Sequence, residues 1–237
     1  MPYGKLYLIP VPLSEDAAAA SFTPFSGQLI NEIKDYVVEN EKTARKFLKQ
    51  AGLTRPQSEL MIQDYGKHQR GQVPAAEFLK AALAGRNVGL MSEAGCPGIA
   101  DPGAEIGAEA HRLGIAVVPL VGPSSLLLAL MASGFNGQSF AFHGYLPIDK
   151  QQRSRRVKEL ERESTIKGQA QLFIETPFRN NALLEDLLRH LNPASKLCVA
   201  VDLTGAGEQV ISQTIREWRN QPSLDLHKRP AIFLIQG

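Results

Sequence analysis

Between Leu6 and Leu120 the chain alternates short apolar runs with segments of helical spacing, and this alternation constrains its fold more than any other feature. Leu6-Tyr7-Leu8-Ile9 is an apolar run stopped by Pro10 and Pro12, which predicts a buried strand ending in a loop. Ser21 to Ile33 has room for a helix, and Asp35–Val38 is a second strand. Glu41 to Ala51 places Ala44, Phe47, Leu48 and Ala51 on one helical face, and Gly52 closes that helix. Residues Arg55 to Gly71 are polar and without period, so an irregular segment is expected. Pro74 is placed to open a helix through Ala84, ended by Gly85, and Asn87 to Met91 is a strand. After a loop from Ser92 to Gly103, Asp101-Pro102 has the wording of a helix start, Asp as cap and Pro at the first position. Gly114 ends that helix, and Ile115 to Leu120 is the next strand. Strands that alternate with helices in this way predict a mostly parallel sheet covered on both faces.

Beyond Gly122-Pro123-Ser124-Ser125 a small-residue helix runs to about Ser133 and the pattern changes. Ser139–His143, Ala170–Ile174, Lys196–Val201, Gln209–Thr214 and Ala231–Ile235 are strands, Lys150–Glu163 is a charged helix or loop, and Phe178–Leu191 is a helix. Strands follow one another directly here, which predicts a mixed sheet. Two α/β domains are expected, residues 1–122 and 123–237, with 43% apolar residues to fill their cores. Charged residues, 21% of the chain, nearly balance at +2, so net charge does not mark a nucleic-acid binder. Cys96 and Cys198 form no CxxC pair, which disfavours a zinc ribbon or disulfide framework and suits a reducing cytoplasm. No signal peptide is expected before Leu6. The run Leu126–Met131 is far shorter than the about 20 residues that span a bilayer.

Two strand-end loops could carry chemistry, because ligands of open α/β sheets bind outside the carboxyl ends of strands. One is Ser92–Gly103 and the other Gly122–Ser125; both are rich in glycine and proline, which serve a tight turn and a close backbone approach to a ligand equally well. No G-x-G-x-x-G follows the first strand and no Walker A motif occurs, so a Rossmann dinucleotide site is disfavoured. Gly205-Ala206-Gly207 is better explained as a turn between strands. The five histidines lack metal-ligand spacing, and no metal site is expected. Lys150, Arg153, Arg155, Arg156 and Lys158 put five positive charges in nine residues, either a solvated face or a phosphate-backbone contact for RNA.

Taken in order, these blocks resemble the tetrapyrrole methylase superfamily, and within it the branch that methylates the ribose 2′-oxygen of small-subunit ribosomal RNA. Gly4–Ile9 with Pro12 is similar to the family's opening strand and loop. Ser92–Gly103 resembles its S-D-A-G-x-P-x-I-S-D-P-G signature, with Glu93 and Ala100 at the first Asp and second Ser. Val117-Val118-Pro119, Gly122-Pro123-Ser124, Ala132-Ser133-Gly134 and Gly144-Tyr145-Leu146-Pro147 follow in family order. Glu175–Arg179 resembles E-S-P-H-R, and Leu203-Thr204 with Glu208 resembles L-T-K-x-x-E. The chain departs where the family has A-E-D-T-R: Glu39 is kept, but Asn40, Glu41 and Lys42 replace Asp, Thr and Arg. Asp64–His68 does not match the branch's H-E-H-N-E, and Leu13-Ser14-Glu15 stands in place of I-G-N.

The resemblance implies two α/β domains with an S-adenosylmethionine cleft between them, in a cytoplasmic homodimer with no membrane span. Carried over by position, cofactor contacts would come from Pro12, from Glu93, Ala94, Gly95, Cys96 and Pro97, from Ile99, Ala100, Asp101, Pro102 and Gly103, and from Ser124 and Ser125. The second domain would add Glu175, Thr176, Pro177, Leu203, Pro230 and Ala231. Glu39 and His68 are the candidate general bases. The expected activity is methylation of ribosomal RNA through a diverged acceptor pocket. A small-molecule (tetrapyrrole) methyltransferase, a silent cofactor- or RNA-binding module, and a phosphorylated-nucleotide site are the alternatives.

Overall fold

The computed structural model describes residues 2–17, 21–66, 73–222 and 224–237. The chain divides into two compact units, Met1–Ser124 and Ser125–Gly237.

The first unit is built on five strands: β1 (Leu6–Leu8), β2 (Asp35–Val38), β3 (Met61–Asp64), β4 (Val88–Met91) and β5 (Val117–Pro119). They pair in the order β3-β2-β4-β1-β5, and every pairing is parallel. Both β2 and β4 are buried along their whole length, as continuous apolar runs covered on two faces should be. On one face lie α1 (Pro24–Glu32) and α2 (Glu41–Gln50), whose Leu29, Ile30, Phe47 and Leu48 pack with Ile9, Tyr36, Val38 and Met91. On the other, a 3-10 turn (Ala75–Leu79), α3 (Lys80–Leu83) and α4 (Ala104–Arg112) pack Phe78, Leu79, Ile106 and Ala110 against Leu6, Val37, Val88 and Leu90. Caps set the helix starts. Thr23 Oγ1 accepts from the Ser26 amide at 3.1 Å, with Pro24 at the first helical position, and Asn40 Oδ1 accepts from the Lys42 and Thr43 amides at 3.0 and 3.2 Å.

Three expectations are corrected in this unit. Met61–Asp64, expected to be irregular, is the edge strand β3; only β2 pairs with it, and its side chains are exposed or half-buried, so it carries no apolar pattern. The segment after Pro74 winds as 3-10 for Ala75–Leu79 before becoming α-helical. The helix expected from Asp101-Pro102 starts at Ala104 instead. Gly103 has φ of 127°, outside helical space, and the Pro102 carbonyl accepts from the Gly98 amide at 3.3 Å, so Asp101 and Pro102 stay in the loop.

The second unit opens with α5 (Ser125–Ser133) and holds β6 (Phe140–Tyr145), α6 (Lys150–Lys167), β7 (Ala170–Ile174), α7 (Asn180–His190), β8 (Lys196–Val201), β9 (Gln209–Thr214), α8 (Ile215–Arg219) and β10 (Ala231–Gln236). The sheet order is β6-β7-β10-β8-β9, parallel between β6 and β7 and antiparallel elsewhere, which is the expected mixed sheet. The helices α6, α7 and α8 pack on one face around Val157, Leu160, Leu183, Leu187, Trp218, Phe173, Val199 and Phe233. α5 lies against β8, β9 and β10. The charged segment is fully helical: Asp149 Oδ1 caps it through the Gln152 amide at 2.9 Å and left-handed Gly168 ends it. α8 has no counterpart among the expected elements; at five residues it is too short to show a period, and a Thr214–Glu217 capping box specifies it. No helix among the described residues is long and apolar enough to cross a membrane.

Candidate functional site

All five strands of the first sheet end on the same edge, and the chain changes direction between two of them. β1 continues toward β2 on one side and β4 toward β5 on the other, although β1 and β4 are neighbours. This is a topological switch point, where open α/β sheets bind their ligands. The loops that leave it, after β1 and after β4, are joined by two hydrogen bonds: Val11 N–H to the Gly95 carbonyl at 2.9 Å and Gly95 N–H to the Val11 carbonyl at 3.0 Å. Gly95 has φ of +69°, which few other residues tolerate, and a Cβ there would stand 3.2 Å from Leu13. The Cys96 thiol donates to the Pro123 carbonyl at 3.4 Å, and burial pushes its pKa up. At Gly122 a Cβ would fall 2.3 Å from Pro10 Cβ, so the loop after β5 also lies hard against the loop after β1.

The three loops are thus one body. Glu93, Ala94, Ile99 and Ala100 are exposed on it; Pro12, Cys96, Asp101, Pro102, Ser124 and Ser125 are half-buried; Gly95, Pro97 and Gly103 are buried. Ala100 holds a left-handed φ of 61°. The Ser14 hydroxyl oxygen is buried with no hydrogen-bond partner among the described residues.

Three carboxylates gather at this edge. Glu39, just past β2, accepts the Glu93 amide on Oε2 at 3.1 Å. Burial, then the charges of Glu39 and Glu93, push the Asp101 carboxyl up to about 6. Asn40, which stands where the family wording has Asp, is the cap of α2, and an amide oxygen performs that task as well as a carboxylate oxygen. Glu41 and Lys42 are exposed on the first turn of α2, and Glu41 pairs with Arg45 at 2.7 Å. His68 lies outside the described residues. Among the described residues no group of three His, Cys, Asp or Glu side chains is placed to hold a metal ion.

In the second unit three segments meet at one end of the sheet: the residues after β7, those after β8 and those before β10. Buried Glu175 accepts the Thr176 amide at 2.6 Å and the Arg179 guanidinium at 2.5 Å, so its charge is compensated internally. Half-buried Pro177 accepts the Lys228 amide at 3.1 Å, and exposed Pro230 accepts the Asp202 amide at 3.0 Å. Leu203 and Ala231 are buried. Asp202 pairs with Arg229 at 2.6 Å. Asp202, Thr204 and Lys228 have φ of 50°, 69° and 60°, a conformation that costs a non-glycine residue energy and that clusters at functional sites. The Thr204 Oγ1, Asn180 Oδ1 and Arg179 Nε atoms are buried there without a hydrogen-bond partner among the described residues. Asn180, Asp202 and Arg229 were not expected at this end; they come from three separate segments, and no local motif announces them.

The basic run of α6 is corrected in part. Arg153 points inward: its guanidinium meets Asp186 through Nε at 2.9 Å and donates to the Ile148 carbonyl at 2.9 Å, so it cannot contact RNA. Arg156 is half-buried and paired with Glu159 and Glu163 at 3.2 and 3.3 Å. Lys150, Arg155 and Lys158 are exposed.

Known proteins share this fold. The family model for tetrapyrrole (corrin/porphyrin) methylases matches residues 31–218. A relative from Synechocystis, ribosomal RNA small subunit methyltransferase I, is 32% identical over 214 residues, covering 90% of this chain and 72% of that protein. The crystal structure of the methyltransferase CobJ is similar at a TM-score of 0.63 and 18% identity, covering 99% of this chain and 94% of that one. Uroporphyrin-III C-methyltransferase from Thermus thermophilus, complexed with S-adenosyl homocysteine, is similar at a TM-score of 0.59 and 16% identity, covering 98% and 97%. At those identities the structures establish the fold, while the family model and the sequence relative establish descent: the chain belongs to the tetrapyrrole (corrin/porphyrin) methylase family.

Proposed function

We propose that the chain is an S-adenosylmethionine-dependent methyltransferase acting on small-subunit ribosomal RNA, at a ribose 2′-oxygen. The observation that carries this reading is the switch-point body, three loops locked together by the Val11–Gly95 hydrogen bonds, in a chain that is 32% identical to a ribosomal RNA methyltransferase. S-adenosylmethionine supplies a methyl group already activated by a sulfonium charge.

The residues present suit that group. The carboxylates of Glu39, Glu93 and Asp101 complement a cationic centre, and on the same edge the orphaned Ser14 hydroxyl offers a hydrogen bond to a polar ligand. In the first unit the proposed contacts are Pro12, Glu93–Pro97, Ile99–Gly103 and Ser124-Ser125. In the second they are Glu175–Pro177, Leu203, Pro230 and Ala231. Most of the work assigned to these residues is positioning, for which about 7–11 kcal/mol is available. A general base contributes typically 10²–10⁴-fold. Asp101, with its carboxyl near 6, can hold or release a proton close to neutral pH, and Glu39 fixes the loop that carries it. The protein is proposed to work in the cytoplasm as a homodimer.

Calorimetry with S-adenosylhomocysteine, on wild type and Gly95→Trp, tests the cofactor half. Saturable binding that the substitution abolishes supports it, and no binding to wild type sinks it. Transfer of labelled methyl to small-subunit ribosomal RNA tests the acceptor half.

A further inference from the structure

Beyond Lys150, which is exposed on its first turn, the other six basic residues of α6 sort into two sets that the sequence does not separate. Arg153, Arg156 and Lys167 are bound to acidic partners: Arg153 to Asp186, Arg156 to Glu159 and Glu163, and Lys167 to Glu163. Arg155, Lys158 and Arg162 are exposed and, among the described residues, have no ion pair. At 3.6 residues per turn their spacing of three and four puts them in one line. The buried line of the helix, Arg153, Val157, Leu160 and Ser164, runs along the opposite side.

The acids of the helix do not neutralise this stripe. Glu159 and Glu163 serve Arg156, while Glu161 accepts the Asn192 amide at 2.7 Å and the Ser195 hydroxyl at 2.6 Å. Each glutamate has an inward or lateral partner, so three cations face solvent with no ion pair among the described residues over roughly 10 Å of helix axis.

We propose that Arg155, Lys158 and Arg162 form a docking stripe for the phosphate backbone of the RNA substrate. The proposal rests on the RNA-methylating reading above and adds where that RNA is held. Three flexible cations in line match the repeat of a polyanion and carry no base specificity. An anionic membrane is the poorer partner, because Ile166 is the one large apolar side chain exposed on α6, where a membrane-lying helix carries an apolar band. Arg162 enters the stripe from outside the basic run 150–158, and Arg153 and Arg156 leave it.

The test is salt-dependent binding of a uridylate oligonucleotide and of small-subunit ribosomal RNA to wild type and to Arg155→Glu/Lys158→Glu/Arg162→Glu. A control, Lys34→Glu/Lys49→Glu/Lys196→Glu, makes the same charge change at exposed positions elsewhere. The stripe variant is expected to lose on the order of ten- to a hundredfold in RNA affinity near 0.1 M salt. Its slope of log affinity against log salt should fall by about 2, at roughly 0.7 per single-strand phosphate contact. The control should keep most of both, and S-adenosylhomocysteine binding should be unchanged in all three proteins. Arg155→Lys/Lys158→Arg/Arg162→Lys should restore the wild-type slope, which separates charge from folding. Unchanged RNA affinity and slope in the stripe variant overturns the stripe while leaving RNA methylation standing. No RNA binding by wild type, or stripe-dependent binding to vesicles of phosphatidylserine instead, overturns both.

Discussion

Glu39 Oε2 accepts the backbone N–H of Glu93 at 3.1 Å, so a side chain at the end of β2 holds the first residues of the loop that leaves β4. We predict that Glu39→Ala loosens this loop, costs about 1 kcal/mol because the lost charged hydrogen bond is solvent-exposed, and weakens S-adenosylhomocysteine binding. Glu39→Gln keeps an acceptor oxygen and should lose less than half of that. Thermal denaturation and calorimetry on the two variants check the order. If Glu39→Gln also leaves turnover on ribosomal RNA unchanged, Glu39 is a positioning residue and not the base.

Asp101 gives a pH dependence with a definite sign. Its folded-state pKa, about 6, lies above its ordinary value of 3.8. Between these values the folded protein binds more protons than the unfolded chain, so stability falls as pH rises from about 4 to about 6 and levels off beyond. Asp101 is half-buried, and solvent screening reduces the effect to about 1 kcal/mol. Asp101→Asn should flatten this fall, which denaturant melts from pH 4 to 8 will show. S-adenosylmethionine, which carries the sulfonium charge, should bind the wild type more tightly as pH passes 6, and the uncharged thioether S-adenosylhomocysteine should respond less.

Arg153 and Arg155 stand two positions apart in the sequence and should behave oppositely. Arg153→Ala strands Asp186 as a buried, unpaired charge, and about 3–5 kcal/mol of stability should be lost. Arg155→Ala should stay within about 0.5 kcal/mol, because the side chain is exposed and unpaired. Urea denaturation of both variants decides this directly.

Gly122→Ala places a methyl group where Pro10 already is, at 2.3 Å from its Cβ. Two proline-bearing loops must then separate, at a cost of about 1–3 kcal/mol. The loss should register in the melting temperature and in S-adenosylhomocysteine affinity together, since the displaced loops belong to the proposed cofactor site.

The parallel sheet was legible because β1, β2 and β4 are nearly uninterrupted apolar runs, and such runs signal their burial locally. β3 was not legible: Met61-Ile62-Gln63-Asp64 pairs on one side only and keeps its side chains at the surface. Helix α4 was placed two residues early because Asp101-Pro102 has the composition of a cap, whereas the conformation of Gly103 decides the start. At the site, the Gly/Pro loops could be found from composition and wording. The contacts that fix them could not, since Val11 with Gly95, Glu39 with Glu93, and Asn180 with Arg229 are each distant in sequence. The charge run of α6 misled at Arg153 for the same reason: Asp186, which draws it inward, belongs to another helix.

The reciprocal Val11–Gly95 hydrogen bonds also bear on the thermodynamics of recognition. The Gly95 N–H is committed to the scaffold, while its carbonyl, which has two lone pairs, keeps one acceptor site for a ligand. The loop is already ordered by these bonds. Association then forfeits little chain entropy, and affinity at this edge should respond weakly to temperature-driven loop motion and strongly to the shape of the incoming molecule.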